Sequence, residues 1–174
     1  MIDTKEKMKH CLKIEKDIYY PGGGDICLPF GIREKDILYR YVFYLRHVEL
    51  YHNTGKKLRK LFWGIFLKRI EMKYALHIGI NVCDEGLSIA HVGPIVINSD
   101  CRIGKNLRIH VGVNIGANGG NPPKLGNDIY IGPGAKIFGD IYIADGCKIG
   151  ANAVVNKTCI EKDKHLVGVP AHIV

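Results

Sequence analysis

The stretch LGNDIYIGPGAKIFGDIYIADGCKIGANAVV, residues 125–155, decides the fold. Leu125, Ile131, Ile137, Ile143, Ile149 and Val155 recur every six residues without a break. Four positions after each comes a second apolar or small residue: Ile129, Ala135, Ile141, Cys147, Ala153 and Cys159. A period of six belongs neither to a helix nor to a simple alternating strand. It belongs to a chain that makes a short strand, turns a corner and repeats. Three such strands close a triangular coil, and stacked coils pair strand on strand in parallel. The aliphatic residue then points into the prism and the second slot takes a smaller side chain near the corner. Glycine, Asn or Asp supports corners where positive φ is needed. One coil is 18 residues, so Ile131 and Ile149 are expected to stack.

An earlier block keeps the rule, with Ile97, Ile103, Ile109 and Ile115 followed by Cys101, Leu107 and Val113. The two blocks are out of phase, because Ile115 to Leu125 is four residues longer than one hexad. The surplus falls in GANGGNPP, residues 116–123, whose composition is that of an extruded loop. A loop that a strict prism does not need is a candidate for function. Carried further back, the hexads would turn Glu85 and His91 inward, so a register slip is expected upstream of Ile97.

Composition agrees with a folded, soluble chain: 47% of the 174 residues are apolar. Twenty-one are glycine, about 12% against about 7% in average proteins. No apolar run approaches the roughly 18–20 residues of a membrane span, and MIDTKEKMKH lacks the apolar core of a secretory signal. A reducing, cytoplasmic setting is expected, with the six cysteines as free thiols in no zinc-like spacing. Residues 1–75 hold 16 Lys+Arg and 9 Asp+Glu, a net +7 of the total +8. The chain therefore divides into a basic N-terminal part, 1–75, and the repeat domain, 76–174.

The N-terminal part reads as three helices, 5–19, 34–52 and 56–73, separated at Pro21–Gly24 and Asn53–Gly55. In the second, Ile37, Leu38, Tyr41, Val42, Leu45 and Val48 form an apolar stripe. In the third, Leu58, Leu61, Phe62, Ile65 and Phe66 do so, flanked by Lys56, Lys57, Arg59, Lys60, Lys68 and Arg69. The expected arrangement packs that stripe on the neighbouring helix and leaves the cations solvated. Contact with an acidic membrane surface is the alternative. No nucleic-acid-binding motif accompanies the charge.

Polar residues that break the apolar lattice are the guide to chemistry. His91 in GLSIAHVG lies where the frame is irregular, and His110 follows 19 residues later in LRIHVGVNIG. A histidine is suited to general-base work near neutral pH. The segments GLSIAHVGPIVI, IHVGVNIGANGG, PPKLGNDIYIGPGAKIFGDI, CKIGANAVVNK and GVPAHIV resemble the serine acetyltransferase family of hexapeptide acyltransferases. The likeness is greatest to its shorter relatives from polysaccharide gene clusters and covers about residues 35–174.

The resemblance implies a left-handed parallel β-helix with an N-terminal α-helical cap, acetyl-CoA as co-substrate, and no metal. It implies transfer of acetyl to a hydroxyl in homotrimers or dimers of trimers, with sites between adjacent prisms. His91 matches the family's general base. Ala117, Pro133 and Ala151 match positions along the pantetheine path, and Asn156 and Lys157 match the nucleotide end. His110, Glu49 and Asn121 are candidates for the acceptor site.

Departures bear on the acceptor. Ala90 stands where the family has an acidic residue before the histidine, and Leu76 where it has an orienting aspartate; Glu49, Asp84 and Glu85 are the substitutes considered. Asn121-Pro122 replaces the Arg-His pair that grips the amino acid, and neither carries charge. The expected acceptor is L-serine or an uncharged sugar hydroxyl of a surface polysaccharide. The non-enzyme alternative is a hexapeptide-repeat scaffold without catalysis.

Overall fold

The computed structural model describes residues 1–23 and 31–174; Gly24 of the expected linker and Cys27 lie outside them. Three helices precede the repeat: α1 (Lys5–Tyr19), α2 (Glu34–Asn53) and α3 (Lys57–Tyr74). Each agrees with its sequence expectation to within one residue. Thr4 caps α1 by accepting a hydrogen bond from Lys7 N–H, and Ala75 ends α3 in the left-handed conformation at φ 54°.

Five stacked coils follow. The first comprises β1 (Leu76–Ile78), a bridge at Cys83 and β2 (Ser88–Ile89). The second comprises β3 (Ile95–Ile97), β4 (Arg102–Ile103) and β5 (Arg108–Ile109). In the third are β6 (Asn114–Gly116), β7 (Lys124–Leu125) and β8 (Tyr130–Ile131), and in the fourth β9 (Lys136–Phe138), β10 (Tyr142–Ile143) and β11 (Lys148–Ile149). The last has β12 (Val154–Val155), a bridge at Cys159 and β13 (His165–Val167), with β14 (His172–Ile173) antiparallel to β13.

The three faces are β1-β3-β6-β9-β12, β4-β7-β10, and β2-β5-β8-β11-β13-β14. Ile131 stacks on Ile149, and Leu125 on both Ile103 and Ile143. The loop surplus is thus absorbed outside the prism. Asn106, Asp128 and Asn152 turn corners at φ between 56° and 58°. The chain is a left-handed parallel β-helix with a helical cap.

The expected slip lies between Ile89 and Ile97, which are eight residues apart and stack on Ile109 and Ile115. The last coil also departs from the hexads. Cys159 pairs with Ile143, on the aliphatic rung rather than in the small second slot, because this coil is shorter than 18 residues.

A first coil has no preceding coil to take its backbone hydrogen bonds, and exposed strand edges must be covered. Here the helices cover it with polar side chains. Tyr19 Oη accepts from Ile89 N–H at 2.8 Å, and Tyr41 Oη from Ile78 N–H at 3.0 Å. Glu49 Oε1 accepts from Asn81 N–H at 2.9 Å, and Glu15 Oε1 from Leu87 N–H at 3.3 Å. Arg46 donates to Cys83 O and Asp84 O at 2.9 and 2.7 Å. Its guanidinium also pairs with Glu15 at 2.6 Å and Glu49 at 2.8 Å. All three charged side chains are buried. Burial pushes the Glu15 carboxyl up, against the pull of Arg46.

The third helix does not pack by its expected stripe. Leu67 is its buried residue, with Trp63, Ile70 and Tyr74 partly buried on the core, while Leu58, Leu61, Phe62 and Ile65 face outward. The helix is apolar on two sides, and Trp63 takes the inner one by stacking 4.3 Å from His47 and 5.7 Å from Phe43. Of the expected stripe, Phe66 alone leans inward, 5.6 Å from Tyr44.

Replacing Arg46 by Met leaves two buried carboxylates without a counter-charge or their shared donor. The expected loss is about 3–5 kcal/mol of unfolding free energy, read from urea midpoints at constant slope.

Candidate active site

His91 sits on the corner that carries the two surplus residues. The segment 90–94 joins the third face to the first and bows outward there, leaving the imidazole 61% exposed. Its Nδ1 lies 3.3 Å from Glu34 Oε2. The other carboxylate oxygen, Oε1, accepts from Val92 N–H at 2.8 Å, so Glu34 holds ring and backbone together. Glu34 is the first residue of α2. The Val92 N–H, and then His91 itself, hold the Glu34 carboxyl below the usual carboxylate range. An ionised carboxylate facing Nδ1 favours the proton on that nitrogen and leaves Nε2 with a free lone pair.

The start of α2 is itself anchored. Tyr20 Oη donates to Asp36 Oδ1 at 2.6 Å, and Arg33 Nε donates to Asp36 Oδ2 at 2.8 Å. Arg33 first, and Tyr20 after it, hold the buried Asp36 carboxyl down at about 2. This clamp fixes the turn from which Glu34 reaches the corner.

One coil along, His110 lies with its ring centroid 6.0 Å from that of His91. Its Nε2 is 3.2 Å from Tyr130 Oη. Partial burial, then Arg108 and His91, push the His110 pKa down. Beside the corner is a cavity of about 200 Å³, lined by Tyr19, Glu34, Lys35, Ser88, Ala90 and Arg108 among others. Arg108 Nη1 donates to Ser88 Oγ at 3.2 Å across it. A larger hollow of about 510 Å³ lies under α1 at Arg46 and Asp84, and His91 lines neither of the two.

Other expected site residues separate by corner. His91, Pro133 and Ala151 each follow by two a residue of the stacked column Ile89, Ile131 and Ile149, so they share one edge. Ala117, Asn156 and Lys157 lie at the opposite edge of the first face, just beyond the stacked Ile115, Ile137 and Val155. All but His110 and Glu49 of the expected site residues are exposed. Asn121 Nδ2 donates to Asp140 Oδ2 at 3.0 Å, which ties down the loop.

Glu49 is committed to Asn81 N–H and Arg46, at the corner between the first and second faces, away from His91. Asp84 and Glu85 also face other partners, Met1 N and Lys105. The carboxylate at His91 is Glu34, which sequence reasoning missed. No local pattern marks it, because 57 residues separate the pair. Tyr130 and Arg108 were missed too; each is the outward residue next to an inward Ile of the repeat, a position the hexad leaves free.

Comparison with known proteins bears on the fold and its relatives. Residues 122–157 match the family model "Bacterial transferase hexapeptide (six repeats)". A serine acetyltransferase of Staphylococcus xylosus is 35% identical over 132 residues, 72% of this chain and 58% of that protein. One from Staphylococcus epidermidis is 35% identical over 112 residues, 62% of this chain and 52% of that protein. The chain thus spans little more than half the length of these relatives. Among solved structures, a serine acetyltransferase from Brucella abortus superposes with a TM-score of 0.76 at 23% identity, covering 98% of this chain and 70% of that one. A serine acetyltransferase from Neisseria gonorrhoeae in complex with serine gives 0.73 at 25%, covering 98% and 70%. In repeat, cap and relatives alike, the chain is a serine acetyltransferase-like hexapeptide-repeat protein.

Proposed function

We propose that this chain is an acetyl-CoA-dependent O-acetyltransferase in which His91 is the general base and Glu34 positions it. The carrying observation is the His91 ring, held at Nδ1 by an ionised Glu34 and otherwise largely exposed. An alcohol is too weak an acid to attack a thioester unaided, so a positioned base is required. In the proposed step the acceptor O–H proton moves to His91 Nε2 while the oxygen bonds to the acetyl carbonyl carbon. The carbon–sulfur bond then breaks, and the proton on Nε2 passes to the leaving thiolate. As the ring becomes cationic, Glu34 stabilises it.

The exposed, small Pro133 and Ala151 share the His91 edge and leave backbone accessible for an extended acyl-carrier arm. Ala117, Asn156 and Lys157 are exposed at the other edge of the same face. A homotrimer would bring one protomer's edge to a neighbour's face and complete the arm's path. Exposed Lys157 would meet phosphate there.

For the acceptor, the relatives' names point to L-serine. The loop favours a neutral sugar hydroxyl, since Asn121 is tied to Asp140 and no cation replaces the family's arginine in 116–123. Retention of His91 with an engaged carboxylate argues against a non-catalytic scaffold.

Three outcomes follow. Release of CoA thiol is measured with L-serine and with nucleotide sugars and oligosaccharides; the His91→Ala chain is expected to lose about 10²–10⁴-fold in kcat while still binding CoA. Absence of CoA binding by the native chain would overturn the enzyme reading.

Glu34→Gln removes one charge-assisted hydrogen bond, worth about 1.5–3 kcal/mol, and kcat should fall about 10–100-fold. The KM for acetyl-CoA should stay unchanged, with partial rescue in Glu34→Asp. Equal losses in kcat and in thermal stability would show a purely structural role.

The third outcome concerns His110. Its depressed titration, followed through its imidazole proton shifts, should move upward in Arg108→Gln, because removal of a nearby cation makes the imidazolium less costly. A midpoint that does not move would exclude Arg108 as a cause.

A further inference from the structure

We propose that the outer face of α3 docks the protein on an acidic lipid surface. The inference is independent of the acetyl-transfer reading and rests on a helix that is apolar on two opposite sides. At about 100° per residue, Trp63, Leu67, Ile70 and Tyr74 share the inner side and pack on the core. Leu61, Met72, Ile65, Leu58 and Phe62 fall within one arc on the opposite side, and they are 47% to 84% exposed. A single packed interface accounts for the inner side only.

Charge borders that arc. On the same wheel, Lys57 and Lys68 run along one margin, Arg59 and Lys73 along the other, and Arg69 lies inside. Lys68 contacts Glu71 at 3.1 Å, the one acidic residue of the helix. Arg59 lies over Tyr51 at 5.7 Å and Lys73 over Tyr74 at 5.2 Å, contacts that leave their charge in place. Lys57 and Arg69 pair with no acidic side chain among the described residues. At the margin, a hollow of about 210 Å³ between α2 and α3 is lined by Arg69 and Lys73 with apolar and tyrosine side chains among the described residues.

An apolar strip between two rows of cations is the pattern of a helix lying in a bilayer interface. Its side chains enter the acyl boundary while its lysines and arginines meet headgroup phosphates. A two-fold partner suits the face poorly. Two-fold pairing would set Lys57, Arg69 and their neighbours against themselves, with Glu71 alone to offset them.

The test is co-sedimentation of the full chain with phosphatidylcholine vesicles, with and without about one-third phosphatidylglycerol, at low and high salt. The expected result is partitioning onto the acidic vesicles about tenfold or more above the neutral ones, weakened by salt. Leu61→Glu with Ile65→Glu should abolish it, and Lys57→Glu with Arg69→Glu should lower it about tenfold or more. Circular dichroism and melting should be unchanged in both. Leu58→Glu, at 84% exposure, provides a variant with no packing to lose.

Equal binding to both lipids, variants that bind like the native chain, or no binding would overturn the proposal. So would a larger assembly in sedimentation velocity that Leu61→Glu dissociates while vesicles bind nothing, which would give the face to a second copy. Binding of an acidic protein that survives loss of all vesicle binding would overturn it as well.

Discussion

The first coil of a parallel β-helix has an edge that nothing in the repeat can satisfy. Every later coil receives hydrogen bonds from the one before it, but residues 76–89 begin the stack with N–H and C=O groups facing outward. Buried backbone groups without partners are costly, so the helices cannot cover this end with apolar side chains alone. Tyr19, Tyr41, Glu15 and Glu49 accept from the edge, and Arg46 donates to it. The Arg46 charge is kept inside because two carboxylates face it, and those carboxylates are kept inside because each also takes an edge N–H. Removing any one leaves the others short of a partner, which is why such networks behave as a unit.

That constraint also places the chemistry. Tyr41, Arg46 and Glu49 fix the middle and end of α2 against the first coil, and Asp36 fixes its start through Tyr20 and Arg33. With both ends held, Glu34 is carried to the far corner of the same coil. A carboxylate on a rigid helix then meets an imidazole on a bowed corner. The same carboxylate also accepts the Val92 N–H, so it secures the corner as well as the ring. The pairing of a carboxylate with an exposed histidine is a stronger sign of use than either residue alone.

The repeat was legible because its signal is periodic and local: an inward aliphatic every six residues leaves little choice of architecture. The helix boundaries were legible for a similar reason, through Gly, Pro and Asn punctuation. The slip at His91 was visible as a break in the period, though not its size. What sequence could not show were pairings across the cap. Glu34 reaches His91 over 57 residues of chain, and Glu49 turned out to serve the coil edge. The orientation of α3 was misread because both sides of that helix are apolar. A stripe read from periodicity cannot say which side is inner when Trp63 and Leu67 compete with Leu61 and Ile65. Aromatic stacking on Phe43 and His47 decides it.

A strict hexad gives each residue one of two fates, inside the prism or on a flat outer face. It has no position that projects a side chain into a concave space with neighbours on several sides. The chain obtains such positions only where it adds residues. Two extra at 90–94 push His91 off the face and toward α2, and four extra at 116–123 raise a wall tied to Asp140. The scaffold above and below both insertions keeps its stacking, Ile89 on Ile109 and Ile103 on Leu125. The insertions can therefore vary in sequence without cost to the core. That freedom is the physical reason a departure at Asn121 and Pro122 speaks to the acceptor and leaves the fold untouched.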